Sequence, residues 1–109
     1  MAFDKALAGR IRDTLTRKKS VEERKMFGCI CFLINGNALV GVWKDSLIAR
    51  VGPDEYEDAL TEPHVREFDI TGRPMKGWVV VGPEGVRGDD QLTDWIQRAV
   101  KFVGKLPAK

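Results

Sequence analysis

Apolar runs separated by tight polar turns dominate residues 26–53, and this pattern predicts three successive antiparallel strands. Residues 30–34 form one continuous apolar run, and residues 38–43 form a second after the turn Asn35-Gly36-Asn37. An Asn-Gly pair between two such runs predicts a hairpin, because both central residues of a type I′ turn need a positive φ. A second turn at Lys44-Asp45 leads into a third strand over residues 46–51.

The N-terminal residues follow the repeat of an amphipathic helix, with Asp4 as its N-cap. The apolar stripe of this helix recurs every four residues: Phe3, Leu7, Ile11 and Leu15. Residues 21–27 then lead towards the central strands and predict an edge strand.

Two more helices and two more strands are predicted after residue 51. Gly52-Pro53 starts a short helix, because proline is favoured at the first helical position. Residues 65–70 predict a strand with Phe68 and Ile70 on one face, and residues 78–81 predict a buried strand. A final helix begins near Asp89 or Asp90. Its apolar stripe comprises Leu92, Trp95, Ile96, Ala99, Val100, Val103 and Leu106.

Hairpins dominate this order of elements, which predicts the α+β class rather than alternating strands and helices. We expect an antiparallel sheet, made of a meander of three to four strands plus a two-strand hairpin, with three helices on one face. At 109 residues the chain is expected to form a single domain over residues 1–109. The expected helix contacts are Leu7, Ile11, Trp95, Ile96, Ala99 and Val103, packed on Phe32, Val40, Val42 and Val80.

The composition is that of an ordinary folded protein, with 43% hydrophobic and 31% charged residues. No apolar run approaches the ~20 residues of a membrane helix, and no signal-peptide pattern opens the sequence. We therefore expect a cytoplasmic location and no membrane partner.

Basic residues are concentrated at the two ends of the chain. Residues 1–25 carry eight basic and four acidic side chains, whereas residues 26–70 carry three basic and eight acidic ones. The basic ends are candidates for binding a polyanion such as nucleic acid, but a solvated helix surface and loop is the favoured explanation, because the excess is small and acids are interleaved. The candidate contacts are Arg17, Lys18, Lys19, Arg24 and Lys25.

The side chains capable of catalysis or metal binding are few. Cys29 and Cys31 lie two apart in a predicted strand and point to the same face, a poor geometry for a disulfide. With His64 they make three ligands, one short of a closed zinc site, and His64 beside Pro63 suits a turn better than a general base. Residues 82–88 are glycine-rich but lack the lysine of a phosphate-binding loop. We expect no metal, no cofactor and no enzymatic activity.

The loop over residues 72–78 combines cationic, flexible apolar and aromatic side chains, which are the types enriched at recognition sites. The alternative is that its apolar members only cover the core. Arg50 lies in an apolar strand, so it either reaches solvent from a sheet edge or pairs with an acid such as Asp69. The candidate interaction surface is Arg50, Arg73, Met75, Lys76 and Trp78.

The central strands are apolar at both alternating sets of positions, so Leu33, Leu39 and Trp43 are expected on the face away from the helices. Strands that are apolar on both sides usually have both sheet faces covered. We therefore expect a partner on the second face, either another protein or a second copy in a homodimer.

Six short blocks, in order along nearly the whole chain, resemble the TfoX N-terminal domain family. The blocks are Met26-Phe27-Gly28, Asn35-Gly36-Asn37, Arg50-Val51-Gly52-Pro53, Pro63-His64-Val65, Thr71-Gly72-Arg73-Pro74-Met75 and Gly77-Trp78-Val79. Cys29 departs from the family pattern, which usually has a second glycine there.

The resemblance implies a two-layer α+β fold like that of secretion chaperones and a link to transcriptional control of natural competence in bacteria. Full-length regulators of this family carry a second, helical domain, whereas this sequence stops at Lys109. The expected function is a non-enzymatic regulatory domain that binds a protein partner. The alternatives are nucleic-acid binding through the basic ends and, with less support, a small thiol-dependent enzyme.

Overall fold

The computed structural model describes residues 4–16, 21–26, 29–69, 72 and 75–107. Within them the helices are α1 (Lys5–Leu15), α2 (Pro53–Leu60) and α3 (Asp89–Val103), with a short 3₁₀ turn at Pro83–Gly85. The strands are β1 (Val21–Met26), β2 (Cys29–Ile34), β3 (Asn37–Trp43), β4 (Ser46–Arg50), β5 (Val65–Glu67) and β6 (Trp78–Val81).

Both predicted hairpin turns are confirmed. Asn35 and Gly36 have φ values of 53° and 82°, the two positive values that a type I′ turn requires. Lys44 has a φ of 55° in the two-residue turn between β3 and β4. These turns set the register of the three central strands.

The described strands form one antiparallel sheet in the order β1-β2-β3-β4-β6-β5. The α+β class and the antiparallel meander are confirmed, and β1 is the predicted edge strand. The hairpin of β5 and β6 joins this sheet through β6, so β5 forms the other edge.

The strand predicted over residues 65–70 is shorter in the structure and ends at Glu67. The Phe68 carbonyl accepts a hydrogen bond from the Met75 N–H at 3.0 Å, and the Asp69 carbonyl accepts one from Gly72 at 2.8 Å. The backbone after Glu67 therefore bonds within its own loop instead of extending the ladder with β6. Ile70 lies outside the described residues.

The helices pack on one face of the sheet, as predicted. Buried side chains from all three helices join a single cluster with alternate residues of the central strands. Asp4 caps α1, accepting hydrogen bonds from the N–H groups of Ala6 and Leu7. The expected helix residues Leu7, Ile11, Trp95, Ile96, Ala99 and Val103 all belong to this cluster, and Phe3 lies outside the described residues.

Two expected strand positions are wrong. Val79 and Val81 belong to the core cluster, so Val80 between them points to the opposite face, although it was expected against the helices. Leu39 was expected on the opposite face but is fully buried in the core. The cause is a bulge: Phe32 pairs with Val40 and Leu33 with Ala38, which leaves Leu39 as an extra residue on the helix side.

Candidate interaction surface

The sheet face opposite the helices, here called the outer face, has a continuous row of residues paired across all six strands. The row runs Arg24, Cys31, Gly41, Ile48, Val80 and Arg66. An arginine therefore stands at each edge of the row, on β1 and on β5. The middle of the row is buried, with Ile48 at 2% and Val80 at 1% exposure.

No described helix packs on the outer face, so the burial of Ile48 and Val80 needs another cause. The Arg66 guanidinium carbon lies 5.6 Å from the centroid of the Trp43 ring. Because β4 and β6 lie between β3 and β5, these two side chains must meet above Ile48 and Val80. The Trp43–Arg66 pair therefore covers the middle of the outer face, and Lys44 adds a second cation 4.7 Å from the same ring centroid.

A second cluster of rings and cations lies at the other end of β4, around Arg50. The Arg50 guanidinium carbon is 5.6 Å from the ring centroids of both Trp78 and Phe102, and Phe68 packs on Trp78 at 5.9 Å between centroids. Arg50 Nη1 also donates to the Ala38 carbonyl at 3.4 Å. Neither expected arrangement of Arg50 is present, because β4 is an interior strand and no described acid pairs with this side chain.

The loop that precedes β6 brings Met75 and Lys76 beside this cluster. Met75 is 37% exposed, which is unusual for a large apolar side chain, and Lys76 is also exposed. The Gly77 carbonyl accepts hydrogen bonds from the N–H groups of Val51 and Gly52 at 2.9 and 3.0 Å, which ties the loop to the end of β4. We define the loop-side surface as Arg50, Phe68, Met75, Lys76 and Trp78; Arg73 lies outside the described residues.

Most described arginines are neutralised by a carboxylate. Arg10 pairs with Asp89, Arg12 with Glu23, Arg24 with Glu22, and Arg98 with both Glu62 and Asp94. Among the described residues, no carboxylate oxygen lies within ion-pair distance of Arg50 or Arg66. The two arginines that lie over tryptophan rings on the outer face therefore keep their charge available to a partner.

The candidate polyanion contacts do not form one patch in the described part of the chain. Arg24 and Lys25 are both exposed, but as successive residues of β1 they point to opposite faces. Arg24 lies 3.4 Å from Glu22, and neighbouring Glu23 is held by Arg12 at 2.7 Å. Arg17, Lys18 and Lys19 lie outside the described residues.

The thiols and the histidine lie far apart on the sheet. Burial raises the pKa of both Cys29 and Cys31, which disfavours the reactive thiolate. His64 lies in the turn before β5, four strand spacings and thus about 19 Å from β2, so no cysteine–histidine pair forms. Within the described ranges no disulfide joins the two cysteines, and no cluster of three or more metal-binding side chains is present.

Four members of the two ring and cation clusters were not singled out from the sequence: Trp43 as a cation-binding ring, Arg66, Phe68 and Phe102. A signal existed for two of them, because Arg66 and Phe68 lie two residues apart in the predicted strand and are therefore predicted to point to the same face. Nothing in the sequence brings Phe102 of α3 to Arg50, since that contact depends on the tertiary structure.

These features define a two-layer α+β domain whose helices cover one sheet face and whose other face carries stacked tryptophan and arginine side chains. The model of the TfoX N-terminal domain family matches residues 13–103, and the chain belongs to this family. Neither a curated protein nor a solved structure matches the chain. None of the helices in the described segments is long and apolar enough to cross a bilayer.

Proposed function

We propose that this protein is a non-enzymatic regulatory domain that binds a protein partner through the loop-side surface. The observation that carries the proposal is the exposed Met75, whose carbonyl accepts a hydrogen bond from the Trp78 N–H at 3.0 Å, together with the Arg50 guanidinium beside the Trp78 ring. This surface combines an apolar, an aromatic and a cationic group, and no carboxylate among the described residues pairs with the cation. Such combinations are typical of the residues that dominate protein interfaces. The hydrogen bonds from Val51 and Gly52 to Gly77 favour a preformed surface.

The chemistry of the described residues also favours binding over catalysis. The raised pKa of Cys31 and its distance from His64 disfavour a thiol nucleophile. Arg98 and its two acids link α3 to the end of α2, as a structural ion-pair network does. Membership of the TfoX N-terminal domain family supports a role in transcriptional control of competence in the cytoplasm of a bacterium.

A partner on the outer face, either another protein or a second copy, was expected because Leu33, Leu39 and Trp43 were predicted to need cover there. Leu39 lies in the core instead, and Leu33 is only 4% exposed within a single chain. A second copy is therefore not required to bury these side chains, and we propose a different protein as the partner.

Capture of partners by the tagged full-length chain from its native host tests this proposal. The double variant Met75→Ser/Lys76→Glu changes the loop-side surface, whereas Glu57→Lys alters the charge of an exposed residue on α2 as a matched control. We expect a protein that the wild type and the control capture equally and that the double variant captures about tenfold less, the loss for ~1.4 kcal/mol of binding energy. An identical set of captured proteins for all three chains would contradict the proposal.

A further inference from the structure

The outer face between Arg24 and Arg66 has the features of a platform for an extended anionic polymer that carries flat rings. We propose that this face binds single-stranded nucleic acid, with Trp43 as a stacking surface for a base and Arg66 as a phosphate contact. This site is centred on β3 and β5, away from the loop-side surface, and goes beyond the protein-binding role proposed above.

Trp43 lies in an environment suited to stacking with a base. Its half-buried ring stands over an open antiparallel sheet, next to the cations Lys44 and Arg66 at 4.7 and 5.6 Å from its centroid. Proteins that bind single strands combine aromatic side chains on a sheet face with neighbouring cations, because every base has a ring face that can stack. An acidic peptide would use the arginines but would leave the indole ring of Trp43 without a role.

The charge of the outer face around this site is positive. Among the described strand residues that point to the outer face and do not belong to the loop-side surface, Arg24 and Arg66 are cationic and Glu22 is acidic. Glu22 already lies against Arg24, whereas Arg66 has no carboxylate partner among the described residues and Lys44 adds a further cation beside Trp43. The face is therefore complementary to a polyanion, whereas the basic N-terminal segment pairs Arg10 and Arg12 with acids.

The outer face is long enough to hold several nucleotides of an extended strand. From Arg24 to Arg66 the row crosses six strands, which is roughly 24 Å at the usual strand spacing. A flexible strand that crosses this row would reach the arginine at each edge and pass Trp43 on its way. A row of this length corresponds to the lower end of the ~4–16 nucleotides that one sheet module holds.

These contacts allow a base to replace a cation on the Trp43 ring when a single strand binds. In the free protein the cations Arg66 and Lys44 lie near the Trp43 ring. A base that stacks on this ring would take the place of one cation, and the displaced guanidinium or ammonium group would turn to the adjacent phosphate. The buried residues Ile48 and Val80 would keep their cover, now provided by the base.

The test uses the full-length chain with Trp78→Phe and Trp95→Phe, which leaves Trp43 as its one tryptophan. Its fluorescence is titrated with an oligothymidylate of about 12 nucleotides, within the range that one sheet module covers. A duplex of equal length and a polyglutamate peptide are titrated in parallel. We expect the single strand to quench Trp43 and to bind more tightly than either competitor, with affinity falling steeply as salt rises.

Substitutions then locate the site, with anisotropy of a labelled oligothymidylate as the readout. Trp43→Leu should weaken binding roughly tenfold or more, whereas Trp43→Phe, which keeps a ring, should retain most of it. Arg66→Glu should weaken binding and reduce its salt dependence. Arg87→Glu is the matched control, because Arg87 is an exposed arginine that lies before α3 and outside the strands of the outer face. Circular dichroism of each variant separates lost binding from lost folding.

Several results would overturn the proposal. One is the absence of quenching at low salt in a folded chain. Another is an equal loss of affinity from Arg66→Glu and Arg87→Glu, which would indicate diffuse charge attraction. Tighter binding of the polyglutamate peptide would assign the face to an acidic protein instead, and duplex binding that survives Trp43→Leu would remove the stacking role. If Trp43→Leu does not fold, the comparison of Trp43→Phe, Arg66→Glu and Arg87→Glu still decides the question.

Discussion

Replacing Gly52 with alanine tests how the end of β4, the start of α2 and the cluster around Arg50 are held together. Gly52 has a φ of 89° and a ψ of 161°, a combination that is essentially restricted to glycine. A Cβ atom added there would lie 2.4 Å from Cδ1 of Phe102 and 2.7 Å from its Cγ. The Phe102 ring is also one of the two rings beside the Arg50 guanidinium.

Two costs add in the Gly52→Ala variant. The backbone conformation costs a residue with a side chain ~1–3 kcal/mol. Displacing a packed ring to admit a methyl group costs a further ~1–3 kcal/mol. We therefore expect the free energy of unfolding to fall by about 2–6 kcal/mol, which is a large part of the ~5–15 kcal/mol that holds a typical domain folded.

Urea denaturation followed by circular dichroism measures this change, with Gly9→Ala as the matched control. Gly9 lies inside α1, and apart from its chain neighbours and the backbone of the same helix no atom lies within 4 Å of a Cβ built there. The same substitution at Gly9 should therefore stabilise the protein by about 0.5–1 kcal/mol. Adding Phe102→Leu to Gly52→Ala should recover part of the packing cost but none of the backbone cost. A Gly52→Ala variant within ~0.5 kcal/mol of the wild type would refute this reasoning.

Three further predictions concern contacts away from the outer face. Arg98→Ala should lower the free energy of unfolding by ~1–2 kcal/mol, because it removes the bidentate pair with Glu62 and the cation over the Trp95 ring. Urea denaturation measures this change, and Arg98→Lys should recover less than half of the lost free energy. Hydrogen bonds from Arg12 lower the pKa of Glu23, so its contribution to stability is present above the usual glutamate range and is lost as pH falls through the lowered value. Glu23→Gln should therefore flatten the dependence of melting temperature on pH in this acidic range, and an unchanged slope would contradict the pairing. Asn37→Ala should lower the free energy of unfolding by ~1 kcal/mol, because the buried Asn37 side chain donates a hydrogen bond to the Pro107 carbonyl at 2.9 Å. The rate of amide hydrogen exchange in the residues after α3 should rise, and an unchanged rate would show that this hydrogen bond does not hold the segment in place.

Local sequence signals predicted the elements whose conformation depends on a few adjacent residues. Asn35-Gly36 specified its turn because positive φ values favour these two residue types, and Asp4 specified the start of α1 through its side-chain oxygen. The register between β2 and β3 was not predictable, because the bulge at Leu39 depends on how two whole strands pair. One extra residue there reversed the expected direction of Leu39.

The candidate site was only partly predictable for a related reason. Exposed cations and rings mark a surface in the sequence, and Trp78 and Arg50 do lie close together. The Trp43–Arg66 contact joins β3 and β5, which are separated in the sheet by β4 and β6. Because β6 follows β5 in the sequence but lies between β4 and β5 in the sheet, the order of the strands along the chain does not reveal this contact. Periodicity within one strand carries no information about such a contact, so the cover that Trp43 and Arg66 give to the middle of the outer face was not predictable.

Site-specific photo-crosslinking in living cells tests the central claim, that the loop-side surface contacts a protein partner. A benzophenone side chain replaces Met75 in one chain and Glu57, exposed on α2, in a control chain. We predict a discrete crosslinked protein from position 75 that is absent from position 57 and lost when Lys76→Glu is added to the same chain. Equal crosslinking from both positions, or a crosslink from position 75 that survives Lys76→Glu undiminished, would contradict the account.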